Sequence, residues 1–447
     1  MLADMWRGCI LATILCAGTA WGAVPTFSKD VAPIFFKHCA GCHQPDHIAP
    51  MSLLDYQSAR PWARAVREAV LRKSMPPWFA ESERGHFSND SRLTEEEITT
   101  VKAWVDGGAP EGDKRALPRA PEFRDGWLLG KPDVVVDIGE DHEVKPGADA
   151  YEHFIVPSDL KDGIWVRAAE IKPGNRRVVH HVHVVIEDER QPTVSTEGMP
   201  DLERFLIREG NITRVKADAP VVNNGCAADA PNLPYLRGFQ EGGLAAFLPG
   251  RPPDVFPEGT AKWVPAGARL RFIIHYAKVD GEPQTDRTSI GLYLAPGRPR
   301  QELRRMDLRN FFFQVPAGDG AQAVTRCYTF EREKDLISFT PHMHYRGKEV
   351  TYALTRPDGR REVLLRIPRY DFDWQLVYRL ARPVRVEKGS VLKVTFIYDN
   401  SVNNKSNPDP EQALRWGDKS EEEMFTNWIE YVDAGEPAGS AGSARLR

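Results

Sequence analysis

The chain has 447 residues, with 59 Lys and Arg against 63 Asp and Glu interspersed along it, and a net charge of −4 at neutral pH. At ~150 residues per domain this length predicts about three domains, each able to bury its own core. The balanced charge excludes a basic face for nucleic acid or for an anionic membrane surface, so partners have to be read from sites.

Residues 1–23 carry Arg7, the apolar run CILATILCA and the small residues Gly18, Ala20, Gly22 and Ala23, the layout of a secretory signal peptide. The run is too short to span a bilayer, Leu15 ahead of Cys16 argues against a lipid anchor, and no later stretch reaches ~20 apolar residues. A periplasmic or secreted protein with no stable membrane anchor is expected. Export removes Cys9 and Cys16 and leaves four cysteines. Cys226 and Cys327 could then pair in an oxidising compartment, although spacing alone does not establish the bond.

The next stretch, HCAGCHQPD, contains Cys39, Cys42 and His43 as C-x-x-C-H. Two thiols three apart on a helical turn can attach to one haem, and the adjacent histidine then sits under the iron. Val31, Ile34, Phe35 and His38 have helical spacing before the motif, with Ser28 as a cap. A second helix is predicted from about Pro61 to Lys73, with Trp62, Val66, Ala69 and Val70 on one face. A third starts with Thr94 and Glu97 as a capping box, carries Ile98, Val101, Trp104 and Val105, and stops at Gly107 and Gly108. Three short helices around one covalent haem c resemble a class I-type cytochrome c domain, here 24–113. That resemblance makes Met75 of KSMPPW the second axial ligand, with Met51 as the competitor. A zinc site is the other reading of the two cysteines, but a second cysteine pair of suitable spacing is missing.

Residues 114–124 read as a linker rich in Pro and Arg. From Trp127 to Val432 short β-branched and aromatic runs alternate with turn residues, as in TYALTRPDGRREVLLRI, two strands joined at Pro357, Asp358 and Gly359. PVRVEKGSVLKVTFIYDN repeats the device at Lys388 and Gly389. Such spacing predicts antiparallel sandwiches rather than β-α units, and APGRPRQELRRMD offers a boundary near residue 300. The expected fold is mainly β: two tandem jelly-roll-like sandwiches, 125–300 and 301–435, preceded by the small all-α haem domain and followed by a disordered tail, 436–447.

RRVVHHVHVVIED places His180, His181 and His183 in a run that reads as a buried strand. Imidazole nitrogens shielded from water need either hydrogen bonds or a metal. TPHMHYRG sets His342 and His344 two apart, so both leave one face of a strand. KSEEEMFTNWIEY supplies Met424, and a thioether beside two imidazoles suits Cu(I) better than zinc. RFIIHYAKVDG adds His275 in a third apolar run.

In this order these four motifs resemble those of the copper type II, ascorbate-dependent monooxygenases, the family of peptidylglycine α-hydroxylating and dopamine β-monooxygenases. The likeness covers roughly residues 125–435 and is specific at the motifs. It implies two coppers, one per sandwich, facing each other across a solvent-filled cleft. The first, held by His180, His181 and His275, passes on an electron. The second, held by His342, His344 and Met424, keeps a position for O2 beside a small-molecule substrate, with electrons from an external donor. Strand alternation would instead pair His181 with His183, and the resemblance leaves His183 as an outer or alternate ligand. Both His180 and His181 can reach one ion only if the strand bulges or ends there. The sequence departs from the peptidylglycine enzymes at Thr340 and Trp428, where they carry arginine and tyrosine. Without that guanidinium a grip on a peptide carboxylate is lost. Two other functions compete with an exported haem and copper monooxygenase: a carrier of electrons or copper without hydroxylation, and a binding module with structural histidines.

Overall fold

The computed structural model describes residues 23–45, 49–121, 126–147, 150–187, 205–209, 212–226, 243–248, 251–277 and 281–435. The signal-peptide run, residues 122–124 of the linker and the tail lie outside the described residues. The protein is mainly β, with 40% of residues in strands and 12% helical, and its sheets are open. No helix among the described residues is long and apolar enough to cross a membrane.

At the N-terminal end the helices Ala32–His38, Ala63–Leu71 and Glu95–Asp106 share one core. Its centre is aromatic: Trp104 is fully buried, its ring 6.1 Å from both Phe27 and Phe35. The Thr94 and Glu97 capping box forms as the sequence suggests, each side chain satisfying the other residue's backbone N–H. Two local expectations change. Ser28 is buried inside an opening turn, Phe27–Val31, whose cap residue is Thr26. Asp30 reaches back to take the Thr26 N–H at 2.7 Å, a job that helical spacing alone does not reveal. Trp62 ends a short 3-10 turn and is 41% exposed, so the buried face of the following helix is Ala63, Val66 and Val70.

Beyond the linker the first β unit has a six-stranded sheet that includes Ile164–Lys172 and Ser289–Leu294, and a four-stranded sheet. The latter runs in the order Ala150–Pro157, Arg269–Tyr276, Val179–Glu187 and Gly243–Phe247. One core is gathered from both sheets, with Val166, Val182, Leu270, Phe272, Ile274 and Leu292 fully buried. The chain changes sheet between Gln301–Glu302, parallel to Thr260–Val264 of the first unit, and Arg304–Arg309 of the second. There a four-stranded sheet (Arg304–Arg309, Thr426–Asp433, Lys334–His342, Tyr378–Val386) and a five-stranded one share the largest core. Arg361–Ile367 and Gly347–Thr355 form the expected antiparallel pair around Gly359, whose φ of 85° suits the turn. The Lys388 and Gly389 turn instead joins Tyr378–Val386 to Val391–Tyr398, which sit in different sheets. Alternation marks both runs as strands but says nothing about which neighbour each one takes.

Several features among the described residues bind the units to one another. The stretch from Pro76 to Arg92 inserts Trp78 and Phe87 against Tyr378 of the second β core, with ring centroids 5.1 and 5.7 Å away. Leu206, Val215 and Val222, which precede the second unit by some eighty residues or more, also belong to that core. Across the two β units Lys262 pairs with Glu430 at 2.8 Å and Arg379 with Asp254 at 3.0 Å, and Ile337 and Val432 complete the first core. Cys226 is bonded to Cys327, a sequence separation of 101, with Cα atoms 5.0 Å apart. Substituting both cysteines by Ala is expected to cost about 2–4 kcal/mol. Thermal melts of oxidised and variant protein check this, and coincident curves would show that the bond adds no stability.

Candidate metal centres

Val179–Glu187 pairs with Arg269–Tyr276, and the register shifts beside His275: His275 faces His181, while Tyr276 faces Val179. His180 is therefore an extra residue, a bulge that turns two consecutive side chains toward one side. The result is a triangle of ring nitrogens. His180 Nδ1 lies 3.2 Å from His181 Nδ1 and 3.2 Å from His275 Nδ1, and the third edge is 3.4 Å. Each Nδ1 carries either a proton or a lone pair, so at least one edge of this triangle sets like against like. A metal with ~2.0–2.1 Å bonds to nitrogen spaces tetrahedral donors about 3.4 Å apart, which is the observed size. Burial, reinforced by the neighbouring imidazoles, holds His181 well below the usual histidine range, so its lone pair is available. Tyr151 stacks flat on His275 at 4.3 Å, fixing that ring. His183 pairs with Ile273 and stays outside the triangle; its ring is 5.4 Å from that of His181.

His342 ends the strand Lys334–His342, Met343 points into the core, and His344 follows on the turn, giving two imidazoles with centroids 5.1 Å apart at 87°. Each has one nitrogen committed. His342 Nδ1 donates to Gln375 Oε1 at 2.7 Å and His344 Nδ1 to the Glu422 carbonyl at 3.2 Å. His344 Nε2 is left buried without a hydrogen-bond partner, the mark of a missing ligand. Burial pushes His342 down to about 4 and His344 well below its ordinary value, so both are neutral donors. Met424 is tied to this pair through Glu423. That fully buried carboxylate accepts the N–H groups of His344 (2.9 Å), Arg346 (2.7 Å) and Met424 (3.3 Å). Burial raises Glu423 to about 7 against the pull of these donors. Met424 is half-buried against the second core, and its carbonyl accepts from Tyr398 Oη at 2.7 Å.

The segment from Tyr370 to Gln375 wraps this pair, and nothing in its sequence pattern marks it out. Tyr370 Oη accepts from the Met343 N–H and donates to its carbonyl, Gln375 holds His342, and Phe372 lies against His344 with centroids 5.8 Å apart. Gln375→Leu removes the acceptor that fixes the His342 tautomer and is expected to weaken copper at this pair about 10–100-fold. Competition against a Cu(I) chelator measures it, and unchanged affinity would show that the bond does not orient His342. Two rings touch residues of both units beside these sets. Phe372 also contacts His180 at 6.1 Å, and Trp428 lies 4.9 Å from His183 and 5.5 Å from His342. Trp428, Thr340, His183, Arg305 and Lys262 line a cavity of ≈ 20 Å³ between the units, room for roughly one water.

At the helical end Cys39, Cys42 and His43 share one turn, with the Cys42 and His43 N–H groups both on the Cys39 carbonyl at 3.1 and 2.9 Å. The two cysteines are free. Burial, with Cys42 and Glu97, pushes the Cys39 thiol up to about 12. His43 Nδ1 is buried without a hydrogen-bond partner among the described residues, and burial lowers this histidine while the backbone of Met51 opposes the shift. Two free thiols and a half-buried histidine on one turn are the groups through which a covalent haem would be held. Met51 packs on the helical core, whereas Met75 is half-buried where the chain leaves for the second β unit. Cys42 lies within electrostatic reach of Arg176, four positions before His180.

Residues 315–439 match the family model described as "Copper type II ascorbate-dependent monooxygenase, C-terminal domain". That segment contains His342, His344 and Met424, and the match supports a copper-dependent monooxygenase-like family and an oxidoreductase. No curated protein matches the chain. Similar solved structures include the VP2 subviral particle of infectious bursal disease virus, 9% identical over 71% of this chain and 76% of that one, with a TM-score of 0.20. The Gx strain of the same virus is 7% identical over 71% and 76%, with a TM-score of 0.19. Similarities this weak carry no argument.

Proposed function

We propose that this chain is an exported monooxygenase that hydroxylates a small organic substrate with O2, taking electrons through a covalent haem and two coppers. Its architecture is read as a cytochrome c-like domain followed by two copper-binding sandwiches. The observation that carries the reading is the bulge at His180, which gathers three Nδ1 atoms at metal-ligand spacing on one unit while the histidine pair of the other belongs to the copper monooxygenase segment.

Hydroxylation joins one oxygen atom to carbon and reduces the other to water, which takes two electrons and two protons beyond the substrate. Copper, when bound, supplies one-electron chemistry and O2 activation. The chain supplies the rest. His180, His181 and His275 hold one ion, and His342, His344 and Met424 hold the other, with the thioether favouring the reduced state. Gln375, Glu422 and Glu423 fix the orientation of the second set before any ion arrives. Cys39 and Cys42 would hold the haem covalently, and His43 and Met75 would bind its iron, which would supply one-electron transfer. Where the peptidylglycine enzymes carry an arginine this chain has Thr340, at a cavity that Arg251 and Arg305 also line.

Counting metals and covalent haem on purified protein, and following O2 uptake after reduction, tests this reading. Two coppers, one haem and O2 consumption are expected. Full metal loading without O2 consumption would replace it with an electron or copper carrier.

A further inference from the structure

We infer that Phe372 is the bridge through which an electron crosses from the three-histidine set to the His342 and His344 pair. The inference rests on the two-copper reading above, and it goes beyond it by assigning the route.

Of the two routes that the ring contacts outline, this one needs the fewest steps. Phe372 touches a ring of each set, 6.1 Å from the His180 ring and 5.8 Å from the His344 ring, centroid to centroid. Rings at these separations are in van der Waals contact at their edges. The other route has three steps, His181 to His183 at 5.4 Å, His183 to Trp428 at 4.9 Å and Trp428 to His342 at 5.5 Å. Electron tunnelling falls exponentially with distance and falls faster through water or empty space than through packed atoms. Two contacts through one packed ring therefore outweigh a detour of three shorter contacts. Phe372 is also held in place: Tyr345 meets it edge-on at 4.9 Å, and Gln375, which fixes His342, bonds the Phe372 carbonyl at 3.3 Å. The same short segment thus orients one set and touches the other.

In the transfer the ion at the three-histidine set loses one electron and the ion at the second set gains it. The ring is neither oxidised nor protonated, no bond is made or broken, and the lost electron is replaced by an external one-electron donor, for which ascorbate serves as the probe.

The test uses the full haem and copper protein with both coppers oxidised, mixed anaerobically with ascorbate and frozen at intervals for electron paramagnetic resonance. Phe372→Leu keeps the apolar volume and removes the ring; Phe372→Tyr keeps the ring. With two coppers still bound and their starting spectra unchanged, Phe372→Leu is expected to slow reduction of the second copper by an order of magnitude while the first is reduced at the normal rate. Phe372→Tyr should restore the normal rate, which a merely structural role would not require. Normal reduction in Phe372→Leu overturns the inference, as does slowing in Trp428→Leu alone, which would assign the route to the indole. Reduction of the second copper at the normal rate in His275→Ala would show that electrons enter it directly, and would sink the inter-site route itself rather than the choice of bridge.

Discussion

His275→Ala protein should bind one copper where the unaltered chain binds two. The substitution leaves two of the three converging nitrogens, and the imidazole it deletes is the one that strand pairing sets opposite His181. Loss of a direct ligand should weaken that site by more than the roughly 10–100-fold typical of an outer partner. The fold itself should survive. His275 is only 4% exposed, so its truncation leaves a space, but it also removes the edge-to-edge mismatch of three Nδ1 atoms 3.2–3.4 Å apart. The second set has its own supports in Gln375, Glu422 and Glu423. Elemental analysis with electron paramagnetic resonance of the oxidised form decides it: one surviving copper signal is expected. Retention of two coppers would remove His275 from the ligand set, and loss of both would mean that the sets are one cooperative site.

The largest effect on stability should come from Glu423→Ala. The carboxylate is fully buried and satisfies three backbone N–H groups, those of His344, Arg346 and Met424. Each buried donor left without a partner costs about 1–3 kcal/mol, so a loss of about 3 kcal/mol or more is expected. The damage is directional as well, because two of the three donors belong to residues assigned to the second copper. Glu423→Gln keeps one acceptor oxygen and should fall between the two. Chemical denaturation of the metal-free protein measures the stability, and copper titration measures the site. An alanine variant as stable as the parent would show that water or a shifted backbone replaces the carboxylate, and that Glu423 does not join the two copper-binding strands.

How much was legible varied with the range of the interaction. The helix of Thr94 and Glu97 could be placed from sequence because its signals sit within one turn. The same holds for the Gly359 hairpin and for the grouping of His342 with His344, two residues apart, although the strand ends at His342 and His344 lies just beyond it. Trp62 misled because a 3-10 turn rotates it away from the stripe that a continuous helix would present. Phe372, Gln375 and Glu423 carried no signal at all. Their partners lie elsewhere in the chain or across a turn, and a phenylalanine, a glutamine and one of three consecutive glutamates look the same in a loop whatever they touch.

The sequence by itself determined the residue types at both candidate centres, the strand-rich body after the helices, and the order of the four motifs, since these depend on chemistry and local periodicity. The tertiary structure alone decided that His180 joins His181 and His275 rather than His183 joining His181, because a bulge exists only in relation to the strand opposite. It also decided that Cys226 meets Cys327 and that Trp78, Phe87 and Leu206 complete a core formed mostly by residues after 300. Such pairings are selected by burial of apolar surface and satisfaction of buried polar groups across the whole molecule. No window of sequence contains both partners, so no local pattern can announce them.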